Sequence, residues 1–206
     1  MESKILYRAL KLSEKIYDES MYGVDDLYRI KDIVHSVDKN HWDSKKWLTD
    51  TLYKHYGYQT GKFYITGGWY GMMAYHIRQK WPLSKLNIIS ADCDPMCEEY
   101  AWELFGDCDI DFRTTDINDE EDLSEYSAII NTSCEHMEQE DLISIIEKKQ
   151  KQTWIAFQTN NYKDINSHIN CWPTAQLFAE SLGLEYVAAV ETLELKDFNR
   201  FMVIGK

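Results

Sequence analysis

Lys62-Phe63-Tyr64-Ile65-Thr66-Gly67-Gly68-Trp69-Tyr70-Gly71 is the stretch on which the fold turns. Its first five residues suit a buried strand, because aromatic and β-branched side chains pack well on a pleated surface. The glycines then break the run. A helical pattern follows from Met72 to about Lys80, and Trp81-Pro82 is expected to stop it. Strand, glycine turn and helix in that order open a parallel α/β sheet. Glycine there allows a tight turn, close approach of a ligand to the backbone, and packing of helix on strand. Taken alone, the glycines also fit a plain tight turn.

Downstream the alternation repeats. Residues 86–91 read as a second strand, and Asp94 and Pro95 then supply the N-cap and first position of a helix reaching about Phe105. Further strands are expected over 109–114, 126–132 and 153–158, with helices over 138–149 and 174–182, the last stopped by Gly183. Two final strands, 185–195 and 199–204, are close enough to pair through Lys196-Asp197. Upstream, apolar residues recur at helical spacing over 4–18 and 25–37, and Asp43-Ser44 is expected to open a third helix that ends at Gly57. The expected fold is α/β: a doubly wound, mostly parallel seven-stranded sheet with a C-terminal antiparallel hairpin. Residues 1–57 form a helical extension packed on a Rossmann-like domain of residues 58–206.

With 206 residues, 44% of them hydrophobic, the chain can bury the core of one domain. It carries 22 basic and 35 acidic residues, a net charge of −13. That balance disfavours nucleic acid, which is held by Lys and Arg, and favours a small-molecule substrate. The five cysteines (Cys93, Cys97, Cys108, Cys134 and Cys171) are odd in number and form no CxxC pair. Reduced thiols in the cytoplasm are therefore expected. No apolar run suggests a signal peptide or membrane span. Oligomeric state is left open.

Acids punctuate the strand ends. Asp92 and Asp94 stand about twenty residues beyond the turn, where a ribose diol would be bound. Asp116 ends the third strand, where an adenine amino group could be met. With the glycine turn, these positions resemble the class I S-adenosylmethionine-dependent methyltransferases over about residues 60 to 206. The resemblance implies S-adenosylmethionine as cofactor and methyl transfer to a small polar acceptor. By position, Gly67, Gly68, Trp69, Tyr70 and Gly71 would hold the methionine part and Asp92 the ribose. Asp116 and Ile117 would hold the adenine, with Cys93 on its face, and Asn131 would border the cofactor. Asp94 reads better as the helix cap.

Two departures stand out. Ile65 occupies the place where the family commonly has an acid, and Trp69 stands where its middle glycine falls. Trp69 and Tyr70 either face the sulfonium, an attraction of about 0.5–2 kcal/mol, or simply pack.

Asn131-Thr132-Ser133-Cys134-Glu135-His136 ends the fourth strand, the family's usual place for catalytic groups. Asn131 matches the first residue of the Asn/Asp-Pro-Pro-aromatic motif, but the rest is missing. His136 is a candidate base, with Glu135 orienting it or binding a cation; both also suit helix capping. Cys134 is a candidate substrate contact or a buried thiol. Gln158, Asn160, Asn161, His168 and Arg200 are candidate substrate-binding residues, against turn formation or a structural ion pair. Residues 67–71, 134–136, 158–161, 168–171 and 200–202 are together similar to small methyltransferase-like proteins that include virus-encoded ones. Cys134, His136, His168 and Cys171 are donors of the zinc type, but their spacing is loose and no metal is expected. Two alternatives remain: another sulfonium chemistry (aminocarboxypropyl transfer, cyclisation or cleavage), or a non-catalytic nucleotide-binding domain.

Overall fold

The computed structural model describes residues 3–19, 24–58, 60–81 and 86–206. Pro82, expected to stop a helix, lies outside them. Three helices lead: α1 (Ser3–Glu19), α2 (Val24–Ser36) and α3 (Lys39–Tyr56). Strands and helices then alternate through β1 (Gly61–Thr66), α4 (Met72–Lys80), β2 (Leu86–Asp92), α5 (Pro95–Phe105) and β3 (Asp111–Thr114). They continue as β4 (Ala128–Asn131), α6 (Gln139–Lys148), β5 (Trp154–Asn160) and α7 (Ala175–Leu182), and end in β6 (Val187–Glu194) and β7 (Asn199–Gly205). Short 3-10 turns, Ile117–Asp119 and Cys134–His136, follow β3 and β4. Among the described residues no helix is long and apolar enough to cross a membrane.

All seven strands share one sheet, in the order β3-β2-β1-β4-β5-β7-β6. Strands β1 to β5 run parallel, and β7 lies antiparallel between β5 and β6. The chain walks outward from β1 to β3, then returns to place β4 on the other side of β1. That reversal opens a crevice at the carboxyl ends of β1 and β4.

Both faces of the sheet are covered, which is why the central strands are apolar throughout instead of alternating. Phe63, Ile65, Ile88, Ile130 and Met202 pack towards α1, α3, α4 and α5. Tyr64, Ile89, Ile129, Ile155 and Val203 pack on the other face with Leu142 of α6 and Phe178 of α7. Helix α1 lies against α5, and α3 lies against α4, β5, β6 and β7.

Boundaries differ from expectation for local reasons. Helix α3 begins four residues before Asp43, because the Asp38 side chain accepts from His41 N and caps it there. Strand β3 starts at Asp111, not 109, since Asp109 has φ 53°, a left-handed conformation that a strand cannot hold. Strand β4 is shorter than 126–132, because the Tyr126 amide turns back to Leu123 O. Strand β5 runs on through Asn160, which pairs across to Arg200.

One packing choice carries a pH dependence. His76 of α4 is 6% exposed, stands edge-on to Trp42 at 4.4 Å, and its Nε2 is buried without a partner. Burial, helped by Lys45 and Lys46 and opposed by Asp50, pushes its pKa down to about 3. The unfolded chain therefore binds more protons than the native one below about pH 6.5, so stability is full above that pH and falls as acid is added. From pH 6.5 to 5 the expected loss from His76 is about 2 kcal/mol. Urea midpoints should show it, and His76→Gln should flatten the slope relative to the native chain; parallel curves would contradict it.

Candidate active site

The glycine turn lies at the crevice. Gly67 has φ 61°, and a Cβ there would sit 3.5 Å from Asn131 Nδ2 across the reversal. Gly68 donates to Ala91 O at 2.9 Å, and a Cβ on it would strike Ser90 Oγ. Gly71 combines φ 83° with a Cβ position 2.7 Å from Phe112 Cε1 and 3.2 Å from Phe105 Cδ2. Gly71→Ala should cost about 2–3 kcal/mol through backbone strain and overpacking, read as a lower urea midpoint at unchanged m. Trp69, in the place of the family's middle glycine, has φ 48° and so keeps the glycine-like backbone with a large side chain. Its half-exposed indole stacks on the ring of Tyr70 at 5.1 Å.

The acids hold this backbone. Asp92 Oδ2 accepts from Trp69 N at 2.8 Å, and Oδ1 accepts from Asp94 N at 3.1 Å. Its carboxylate is only partly buried, and each oxygen keeps a further lone pair. Asp94 caps α5 through Met96 N, as expected. Cys93 and Asp116 are exposed beyond the ends of β2 and β3, and Asp116 caps the turn that buries Ile117. Asn131 is buried beneath the turn, with Oδ1 accepting from Ser133 N at 2.7 Å and Nδ2 directed at Met137 Sδ.

A buried polar cluster adjoins the crevice on the α3 face of the sheet. Asn160 Nδ2 donates to Glu135 Oε1 at 2.7 Å, and Arg200 Nη2 lies 3.5 Å from that oxygen. Arg200 Nη1 also donates to Thr132 O, and Gln158 Nε2 donates to Ser44 O of α3. Glu135 Oε2 and Gln158 Oε1 are buried with no partner. Such acceptors are costly unless something donates to them. Lys45 of α3 is 4% exposed, and burial, with Arg200 nearby and Glu135 opposing, pushes its pKa down to about 7.

Helices α2 and α3 roof the crevice. Arg29 donates to Asp94 Oδ2 at 2.7 Å and to Tyr70 Oη at 3.1 Å, fastening α2 across the turn. His41 stands 5.4 Å from the Trp69 ring and hydrogen-bonds Asp38 through Nδ1. Burial, against the pull of Asp38, lowers its pKa to about 4. Arg29, Asp38, His41 and Lys45 are residues of the candidate site that sequence reasoning misses. No motif marks them, and Arg29 meets its partner 65 positions away.

The expected residues thus separate. Glu135, Gln158, Asn160 and Arg200 come together; Gly67, Gly68, Trp69, Asp92 and Asn131 surround the turn. His136 and His168 pair at the rim, ring centroids 4.7 Å apart. Tyr70 is 1% exposed and packs in the core. Cys134 is fully buried in the core of the opposite face, its thiol against Asn131, apart from the cluster that its neighbour Glu135 joins. Asn161 ties the loop after β5 to Asn199 N. Two surface hollows of about 390 and 420 Å³ lie away from the turn, along α7–β6 and beside α3 and Glu191.

No protein-family model and no curated protein matches the sequence. Solved structures do match the fold. Magnesium protoporphyrin IX methyltransferase from Synechocystis PCC 6803, with bound SAM, has a TM-score of 0.60 at 12% identity over 99% of this chain and 96% of its own. N-methyltransferase NodS from Bradyrhizobium japonicum WM9 gives 0.61 at 11% identity over 82% of this chain and 98% of its own. Coclaurine N-methyltransferase bound to N-methylheliamine and SAH gives 0.57 at 17% identity over 72% of this chain, which spans about half (51%) of that protein. The strand order, the glycine turn at the reversal and these likenesses agree: the chain has the fold of the class I S-adenosylmethionine-dependent methyltransferases.

Proposed function

We propose that the protein transfers a methyl group from S-adenosylmethionine to a small polar acceptor. The observation that carries this reading is the acid-edged crevice at the sheet reversal, where Gly67, Asp92 and Asn131 meet. The residues fit the cofactor. Gly67 leaves open backbone, Asp92 offers unspent carboxylate lone pairs to a diol, and Asp116 and Cys93 are exposed beside it. When bound, the cofactor supplies an electrophilic methyl on a sulfonium, so the chain mainly has to position the acceptor.

The buried cluster supports an acceptor site. Gln158 Oε1 would receive a donor from the acceptor, and Arg200 fixes the neighbouring Glu135 carboxylate. Lys45, held near neutrality inside the cluster, is better placed than the rim residue His136 to take up a proton. Trp69 offers its ring to the sulfonium side of the turn. The acidic surface and the absence of a Lys/Arg-rich run favour a metabolite over nucleic acid. Five unpaired thiols favour the cytoplasm. The motif likeness to small methyltransferase-like proteins, virus-encoded ones included, supports the narrower family reading.

Calorimetry with S-adenosylhomocysteine, followed by product analysis over an acceptor screen, tests the reading. Saturable binding and release of S-adenosylhomocysteine are expected. Methylthioadenosine as product would replace methyl transfer with cleavage or aminocarboxypropyl transfer. Binding with no turnover would leave a nucleotide-binding domain.

A further inference from the structure

We propose that Glu135, His136 and His168 form a binding site for one divalent transition-metal ion, zinc being the first candidate. A carboxylate oxygen of Glu135 and one ring nitrogen from each histidine lie within 4.8 Å of one another. Glu135 and His136 come from the 3-10 turn after β4, and His168 from the loop after β5. The two segments are stapled together, since Ile169 N and Asn170 N both donate to Glu135 O, at 2.8 and 3.1 Å. The backbone therefore keeps the two segments side by side.

The protonation pattern points the same way. His136 Nδ1 meets Ser167 O at 3.1 Å, and His168 Nδ1 meets Tyr162 O at 2.6 Å. A carbonyl only accepts, so each Nδ1 carries a hydrogen, and Nε2 is the nitrogen left to face a metal. Metal-ligating histidines are oriented by that kind of bond from the other ring nitrogen. The second, independent observation is Glu135 itself. Its residue is 3% exposed, Oε1 is taken by Asn160 and Arg200, and Oε2 is buried with no partner. A cation beside Oε2 would satisfy that oxygen. Two neutral imidazoles and one carboxylate suit Zn²⁺, Co²⁺ or Fe²⁺ and leave coordination positions open.

The other His and Asp group among the described residues, His35, Asp38 and His41, lacks such an orphan. His41 already hydrogen-bonds one Asp38 oxygen at 3.0 Å, His35 lies 3.2 Å from the other, and His35 is largely exposed. Cys171, near Glu135, bonds Asn160 Oδ1 and Tyr162 O through its thiol instead.

The test is titration of the full-length, chelator-stripped protein with Zn²⁺ by calorimetry and with Co²⁺ by visible absorption. One equivalent should bind, with Co²⁺ giving d–d bands but no thiolate charge-transfer band. His136→Ala and His168→Ala replace exposed or half-exposed rings, so both variants should fold; each should lose stoichiometric binding, while His35→Ala should keep it. Absence of saturable Zn²⁺ binding would overturn the site. So would binding undiminished in the His136→Ala/His168→Ala double variant, or a thiolate band. S-adenosylhomocysteine binding, measured on the same samples, reports the cofactor site separately and has no bearing on this outcome.

Discussion

Asp92→Ala should weaken S-adenosylhomocysteine binding by about 100-fold or more, the loss of charge-assisted hydrogen bonds worth about 1.5–3 kcal/mol each. The carboxylate has two duties. It holds the turn, through Trp69 N and Asp94 N, and it turns its remaining lone pairs to the crevice. Alanine abandons both. Asparagine is no mild control, because one of the two backbone N–H groups would then face an amide NH₂ in place of an acceptor. The turn itself should loosen, with about 1–3 kcal/mol of stability lost for the orphaned donors. Urea unfolding separates the two effects: binding has to fail under conditions where the variant remains folded. Asp116→Ala, whose exposed side chain caps one 3-10 turn, should weaken binding less. Equal affinity of Asp92→Ala and the native chain would remove the crevice from the cofactor reading.

Asp92 was legible in the sequence because its role is local. It ends an apolar run and precedes a Pro-initiated helix, and both signals lie within a few residues. The strand order was legible for the same kind of reason: alternation with helices forces crossovers, and crossovers force parallel pairing. Trp69 stands out by position alone, and the backbone explains it: φ of 48° is the glycine-like conformation that the place demands.

The acceptor side was less legible. Asn160 reads as loop because asparagine is poor in strands, yet it extends β5 since Glu135 satisfies its amide. Asp43-Ser44 carries the composition of a cap, but the cap is Asp38, and so His41 and Lys45 lie inside α3 on the side that meets Asp38, Arg200 and Glu135. A lysine in an amphipathic helix normally reads as solvated surface. The packing of α3 on β5 and β7 buries this one.

Lys45→Met should slow turnover by about 10²–10⁴-fold while leaving S-adenosylhomocysteine affinity within about twofold, and should raise stability by about 1–3 kcal/mol near pH 6. The reasoning starts from burial. An ammonium 4% exposed, with Arg200 as a neighbouring cation, loses more in solvation than Glu135 returns, and its pKa falls to about 7. Unfolded lysine titrates near 10.4, so between those values the native state binds fewer protons than the unfolded one. Stability from this residue therefore rises with pH from about 7 to 10.4, and below pH 7 the charge is buried at full cost. Methionine fills a similar volume without the charge, so its advantage is greatest below pH 7 and shrinks above it. A residue kept at such a cost is expected to serve the acceptor. Removing a positioned proton acceptor typically costs about 10²–10⁴ in rate. The discriminating pattern is a more stable protein, unimpaired in cofactor binding, whose turnover has collapsed. A variant that is both more stable and fully active would make Lys45 a tolerated defect of packing, and the base would have to be sought elsewhere in the crevice.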